Sequence, residues 1–105
     1  MRAAIETKLR LRPSQLLGLV RERVLAAVEA VGGSDVRVVG SVARGEDEPG
    51  SDLDLLVTFP PEADIITLLT LQEELSNALT VPVDLVSAGS SGPVLDRARA
   101  DAVPL

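Results

Sequence analysis

The chain has 105 residues, 46% of them hydrophobic, and a formal net charge of −6. This suits one packed domain and argues against a nucleic-acid substrate, because a polyanion needs Lys and Arg for neutralisation. Since the sequence contains no cysteine and no histidine, any acid–base or metal chemistry must use carboxylates, lysine or hydroxyl groups. No run approaches the ~18 apolar residues of a membrane span and no signal-peptide pattern opens the chain, so we expect a cytoplasmic protein.

The first half of the chain predicts one long helix and one strand. Residues 1–12 form a basic segment whose pattern fits a short strand, a helical turn or a loose lead-in. Apolar residues at helical spacing predict a helix that begins at Pro13-Ser14 and ends at Gly32-Gly33. A β-branched run at Val36–Val39 predicts a strand that stops at Gly40-Ser41.

The second half predicts further helices and strands in alternation. A short helix at Val42–Gly45 precedes an acidic loop and a strand at Leu53–Phe59. Apolar residues then predict a helix over Ala63–Leu79, a strand over Val81–Val86 and a last helix over Val94–Ala102. Because three short strands cannot make a large doubly wound sheet, all 105 residues are expected to form a single α/β or α+β domain. Its helices would pack on one short sheet.

Three features of the sequence carry possible chemistry. Gly40-Ser41 follows a strand and is typical of a phosphate cradle, although such a pair is more often only a turn. Asp52 and Asp54 point to the same side of a strand, roughly 7 Å apart, where Mg²⁺ would relieve their repulsion; the alternative is a solvated strand edge. Asp84 is a charge inside an apolar strand, and it joins the pair if the two strands are neighbours or faces water at an edge.

Together, three carboxylates and a phosphate cradle suit metal-assisted phosphoryl transfer. The stretch from Gly40 to Val57 resembles the DNA polymerase beta-like nucleotidyltransferase superfamily, and within it the minimal nucleotidyltransferases. These proteins are often antitoxins whose toxin carries a HEPN domain. The resemblance covers roughly residues 14–105, and the matching positions are Gly40, Ser41, Ala43, Arg44, Gly45, Ser51, Asp52, Asp54, Leu55 and Asp84.

The resemblance implies a small nucleotidyltransferase fold with a short mixed sheet, and it implies residue roles. Asp52 and Asp54 would hold two Mg²⁺ ions, and Asp84 would ligate the catalytic ion and help deprotonate the acceptor hydroxyl. Nucleotide-binding roles fall on Gly40, Ser41, Arg44 and Ser51. For Arg44, a phosphate contact and an ion pair with Glu46 or Glu48 remain equal alternatives.

The implied reaction moves AMP from ATP, or another nucleoside monophosphate from its triphosphate, to a Tyr hydroxyl of a HEPN toxin. Two other hypotheses stay open: an antitoxin that acts by binding alone, and the nucleotide-binding subunit of a two-part small-molecule nucleotidyltransferase. The helix over Ala63–Leu79 has a wider apolar face than one small sheet needs to cover. Either the terminal helix packs there, or part of this face, for instance Leu71, or part of the Leu16–Val31 face, stays exposed and binds the partner.

Overall fold

The computed structural model describes residues 11–105 as a four-stranded sheet with helices on both faces, so the predicted α+β fold is confirmed. Of the predicted lead-in at residues 1–12, all but Leu11 and Arg12 lies outside the described residues. No helix among residues 11–105 is both long enough and apolar enough to cross a membrane. In chain order the elements are α1 (Pro13–Ala30), β1 (Ser34–Val39), α2 (Gly40–Ala43), β2 (Leu53–Thr58), α3 (Ile65–Leu79), β3 (Val83–Ser87), α4 (Pro93–Asp101) and β4 (Val103–Pro104).

The sheet is mixed, with the strand order β3-β2-β1-β4. β1 is antiparallel to β2 and to β4, whereas β2 and β3 are parallel. β4 was not predicted, because it contains only two residues and one of them is Pro104, which is tolerated at a sheet edge. In the register, Asp54 lies opposite Val39 on one side and opposite Asp84 on the other.

The two faces of the sheet bury very different amounts of apolar surface. Side chains alternate along each strand, so Leu53, Leu55 and Val57 of β2 face α1 and α3. Leu56 points the other way and packs with Val39 and with Leu95 of α4. Asp54 has the parity of Leu56 and therefore lies on the α4 face, away from the main core.

Helix α3 is divided between a buried and an exposed apolar surface. Leu71, Leu75 and Leu79 are each only 1% exposed and pack in the main core, so the prediction that Leu71 stays exposed is wrong. Toward the start of the helix the apolar side chains are instead open to solvent: Ile65 (66% exposed), Ile66 (70%) and Leu69 (55%). The sequence pattern places all six on one helix, but only tertiary packing decides which of them the sheet and α1 cover.

Candidate active site

The site lies at the end of the sheet where β2 and β3 begin and β1 ends. Asp54 and Asp84 are each the second residue of their strand and are direct partners in the parallel register. Gly40 follows immediately after β1. These residues open onto a cleft of about 430 Å³ between the sheet and α4, lined by Val39, Gly40, Arg44, Asp54, Asp84, Leu85, Val86, Arg97, Ala98 and Asp101. The predicted meeting of Asp54 with Asp84 is therefore observed.

Gly40 is required by its backbone conformation and by its contact with Asp54. Its φ of +72° lies in the left-handed region, which residues other than glycine rarely adopt. A Cβ atom at this position would lie 2.6 Å from Oδ2 of Asp54, too close for a carbon and an oxygen. The absence of a side chain thus lets the Asp54 carboxylate pack directly against the backbone that follows β1.

The electrostatics of the site favour a bound cation. Burial raises the pKa of Asp54 above its ordinary value, and the negative charges of Asp84 and Asp52 raise it further, while Arg44 opposes the shift. The ionised carboxylate is thus short of positive charge, and a divalent cation coordinated by carboxylate oxygens fits that deficit. Within residues 11–105, however, no three acidic side chains are grouped closely enough to form a ready metal-ligand set.

Asp52 is the member of the predicted carboxylate trio that stands apart. It precedes β2, is exposed and does not line the cleft, although its charge acts on Asp54. The structure therefore brings two of the three predicted carboxylates into one cleft and leaves the third beside it. The metal-binding role of all three residues stays a prediction.

Arg44 lines the cleft and also joins two helices. Its guanidinium donates to Asp101 at 3.1 Å and to Glu46 at 3.4 Å, and these hydrogen bonds raise its pKa. Of the two ion pairs considered from the sequence, the one with Glu46 forms and the partner from α4 was not foreseen. The side chain is still 43% exposed, so one side of it remains open to a ligand.

The two predicted serines do not line the cleft. The Ser51 hydroxyl accepts a hydrogen bond from the backbone N–H of Glu48 at 2.9 Å, which closes the acidic loop as a turn. The backbone carbonyl of Ser41 accepts from Glu46 N–H at 2.9 Å. In the residues described, Ser51 thus has an evident structural role, and its assignment to nucleotide binding stays a prediction.

The contribution of α4 to the cleft was not predicted from the sequence. Arg97 and Asp101 both line the cleft and are four residues apart, a spacing that puts them on one face of a helix. That spacing was visible in the sequence, but nothing in it showed that this face turns toward Asp54. With Arg44, Arg97 adds positive charge to the wall opposite the two carboxylates.

Comparison with known proteins places the chain in a family. The nucleotidyltransferase domain family matches residues 16–102. A solved structure assigned to a minimal nucleotidyltransferase is 39% identical with a TM-score of 0.76, covering 88% of this chain and 95% of that one. The chain belongs to the minimal nucleotidyltransferases. They are part of the DNA polymerase beta-like superfamily, and the predicted enzyme class, nucleotidyltransferase, is confirmed.

Two further relatives show how far the likeness extends. The protein adenylyltransferase MntA of Thermococcus cleftensis is 37% identical over 62 residues, which are 59% of this chain and 63% of that protein. The match thus spans less than two thirds of that relative. A chain from a crystal structure of a toxin–antitoxin with AMP-PNP has a TM-score of 0.70 at 23% identity, covering 79% of this chain and 69% of that chain, and it shares the fold of this minimal nucleotidyltransferase.

Proposed function

We propose that this minimal nucleotidyltransferase transfers AMP from ATP to a side-chain hydroxyl of a partner protein and acts as the antitoxin of a HEPN-type toxin. The observation that carries the proposal is the pairing of Asp54 with Asp84 in a cleft that Gly40 and two arginines border. The motif resemblance and the protein adenylyltransferase relative support the nature of the transferred group and of the acceptor.

The reaction exchanges one bond to the α-phosphorus for another. The acceptor oxygen forms a bond to the α-phosphorus, the bond from that phosphorus to the bridging oxygen breaks, and pyrophosphate leaves with the electron pair. The hydroxyl proton passes to the carboxylate of Asp84, which lies beside Asp54 in the register and lines the cleft.

The remaining residues of the site hold the triphosphate. The backbone after β1, at Gly40 and Ser41, is the phosphate cradle, and Arg44 and Arg97 offset phosphate charge from the facing wall. Two Mg²⁺ ions held by Asp52, Asp54 and Asp84 would supply charge neutralisation and polarise the acceptor oxygen. Because Arg44 is tied to Asp101 and Glu46, phosphate has to share or displace these partners.

The exposed apolar patch on α3 fits the partner protein. Ile65, Ile66 and Leu69 form one surface, since residues three and four apart are neighbours on a helix. Exposed carboxylates of Asp64 and Glu73 flank this surface on the same helix and just before it. An apolar patch between acidic groups is complementary to a basic, partly apolar helix on the partner protein.

The test is transfer of label from ATP that carries a radioactive α-phosphate, in the presence of the HEPN-type toxin proposed as the partner. We expect Mg²⁺-dependent labelling of that protein by the wild-type chain. Labelling should be lost in Asp52→Asn, Asp54→Asn and Asp84→Ala, all of which should remain folded by circular dichroism. Asp84→Ala should lower kcat more than it weakens nucleotide binding, because its carboxylate acts on the acceptor.

Each outcome distinguishes between the hypotheses. A partner that binds and is neutralised without labelling would establish the binding-only antitoxin and refute the proposal. Labelling of a small molecule in place of protein would establish the two-part small-molecule enzyme. Full transfer by the Asp52/Asp54 double variant would show that these carboxylates are not the metal site, whereas the control Glu22→Gln on exposed α1 surface should transfer normally.

A further inference from the structure

Two polar side chains of α3 bind the outer edge of β3. The carbonyl oxygen of the Gln72 side chain accepts a hydrogen bond from Leu85 N–H at 2.9 Å. The Ser76 hydroxyl accepts from Val83 N–H at 3.0 Å and donates to the Gln72 backbone carbonyl at 2.8 Å. Because β3 is the outermost strand on its side of the sheet, these bonds stand where a neighbouring strand would otherwise pair.

The two donors flank Asp84 on either side. Val83 and Leu85 point their N–H groups outward to α3, while the opposite edge of the same strand pairs with β2. The strand is therefore held at both edges around the residue that lies opposite Asp54. Asp84 itself is exposed at the cleft, so its side chain receives little support from packing, and its position depends on the backbone that carries it.

The identity of Gln72 is otherwise unexplained by the helix. Gln72 lies between Leu71 and Leu75 in the sequence, is half-buried, and borders the apolar face of α3. A leucine at this position would bury more apolar surface. A buried polar group is stable when its hydrogen bonds are satisfied, and the Leu85 N–H supplies a partner for its carbonyl oxygen. The hydrogen bond to Leu85 N–H thus offsets the cost of burying a polar side chain at this position, and it also fixes the outer edge of β3.

We infer that Gln72 and Ser76 are positioning residues that hold Asp84 against Asp54 from the opposite face of the sheet. This inference rests on the proposed function, in which Asp84 binds the metal and acts on the acceptor hydroxyl. Partners behind a metal ligand typically change metal affinity or activity by about ten- to a hundredfold when they are removed. Neither side chain touches the cleft, so each acts only through β3.

The experiment compares substitutions that remove the acceptor atom with substitutions that keep it. Gln72→Met has similar length without the carbonyl oxygen, and Gln72→Glu retains an oxygen that can accept from Leu85 N–H. Ser76→Ala removes the hydroxyl and Ser76→Thr keeps it. Asn77→Ala, an exposed position on the same helix, is the matched control.

Two measurements are made on each folded variant. Mn²⁺ titration in the presence of a non-hydrolysable ATP analogue, followed by electron paramagnetic resonance, reports metal affinity without turnover. Steady-state transfer to the partner protein separates kcat from KM for ATP. We expect Gln72→Met and Ser76→Ala to weaken Mn²⁺ binding and lower kcat by about tenfold or more with little change in KM. Gln72→Glu, Ser76→Thr and the control should stay close to wild type.

The outcomes separate the inference from the proposed function. Wild-type Mn²⁺ affinity and kcat in Gln72→Met and Ser76→Ala would refute the positioning role, even if Asp84→Asn abolishes transfer. Equal losses in Gln72→Met and Gln72→Glu would also refute it, because the hydrogen bond would then not be the cause. A wild-type chain that transfers nothing would refute the proposed function, while the Mn²⁺ titration would still decide the positioning role. Unchanged Mn²⁺ affinity in Asp84→Asn would refute the metal-binding role of Asp84 and with it the positioning role, whereas the proposed function is decided by the transfer assay alone.

Discussion

The contact between Gly40 and Asp54 can be broken by adding one methyl group. Gly40→Ala places alanine at a φ of +72°, which costs about 1–2 kcal/mol for a side chain in the left-handed region. Its Cβ would also lie 2.6 Å from Oδ2 of Asp54, so the carboxylate must rotate away, at about 0.5–1.5 kcal/mol for an off-rotamer side chain. We expect a total loss of about 1.5–3.5 kcal/mol in the free energy of unfolding.

Gly45→Ala is the matched control for backbone strain. Gly45 has nearly the same φ, +70°, but an added Cβ would have nothing within 4 Å. Urea unfolding should therefore show a loss of only about 1–2 kcal/mol in this variant. The difference between the two variants measures the displacement of Asp54 alone.

The catalytic consequence should exceed the loss of stability. A catalytic group displaced by about 1 Å can cost about a hundredfold in rate. Under conditions where both variants are folded, we expect Gly40→Ala to lower the rate of AMP transfer at least tenfold and Gly45→Ala to lower it far less. If Gly40→Ala and Gly45→Ala had the same unfolding free energy and the same transfer rate, the close approach of Asp54 to Gly40 would contribute neither to stability nor to catalysis.

Two further predictions concern the rest of the domain. Asp47 is buried, and although burial raises its pKa, the hydrogen bond that Ser14 N–H donates to its Oδ2 at the start of α1 outweighs this, so the pKa lies below its ordinary value. The ionised Asp47 carboxylate therefore stabilises the folded state above pH 3.8, and this stabilisation is lost as the pH falls through the lowered pKa. Asp47→Ala should lower the free energy of unfolding by about 1 kcal/mol at neutral pH and should weaken its decrease at acid pH, as measured by urea unfolding. The same dependence of stability on acid pH in the variant and in the wild type would contradict this. Ile66→Glu should keep the fold, because the side chain is 70% exposed, and should abolish co-purification with the partner. Leu19→Glu, on 75% exposed surface of α1, is its control, and association that survives Ile66→Glu would place the interface elsewhere.

Local patterns predicted most of the elements because each has a strong apolar period. The apolar stripe from Leu16 to Val31 predicted α1, and the run Leu53–Phe59 predicted β2, where the alternation of side chains placed Asp52 and Asp54 on one side. The meeting of Asp54 with Asp84 was only conditional at that point, because it needs β3 to pair beside β2 in the observed register. That pairing is a long-range contact, which no local pattern contains.

The features that escaped prediction all depend on tertiary contacts. The sequence predicts an acidic loop that includes Asp47, yet this residue is 4% exposed and its Oδ2 accepts a hydrogen bond from Ser14 N–H in the first turn of α1, 33 residues earlier in the chain. Its neighbours Glu46 and Glu48 are exposed, so the loop composition held no signal for one buried carboxylate. The direction in which α4 turns Arg97 toward the cleft is a consequence of packing on the second face of the sheet.

The two faces of the sheet divide stability from chemistry. In the part of the chain described, fourteen buried apolar residues pack on the α1 and α3 side, whereas only three pack on the α4 side. At about 1.5–3 kcal/mol for each buried aliphatic side chain, the first face supplies most of the hydrophobic stabilisation. The second face can therefore bring Asp54 and Asp84 together, with the resulting repulsion, without unfolding the domain. Gln72 and Ser76 connect the faces, since they belong to the stable layer and bind the strand that carries Asp84.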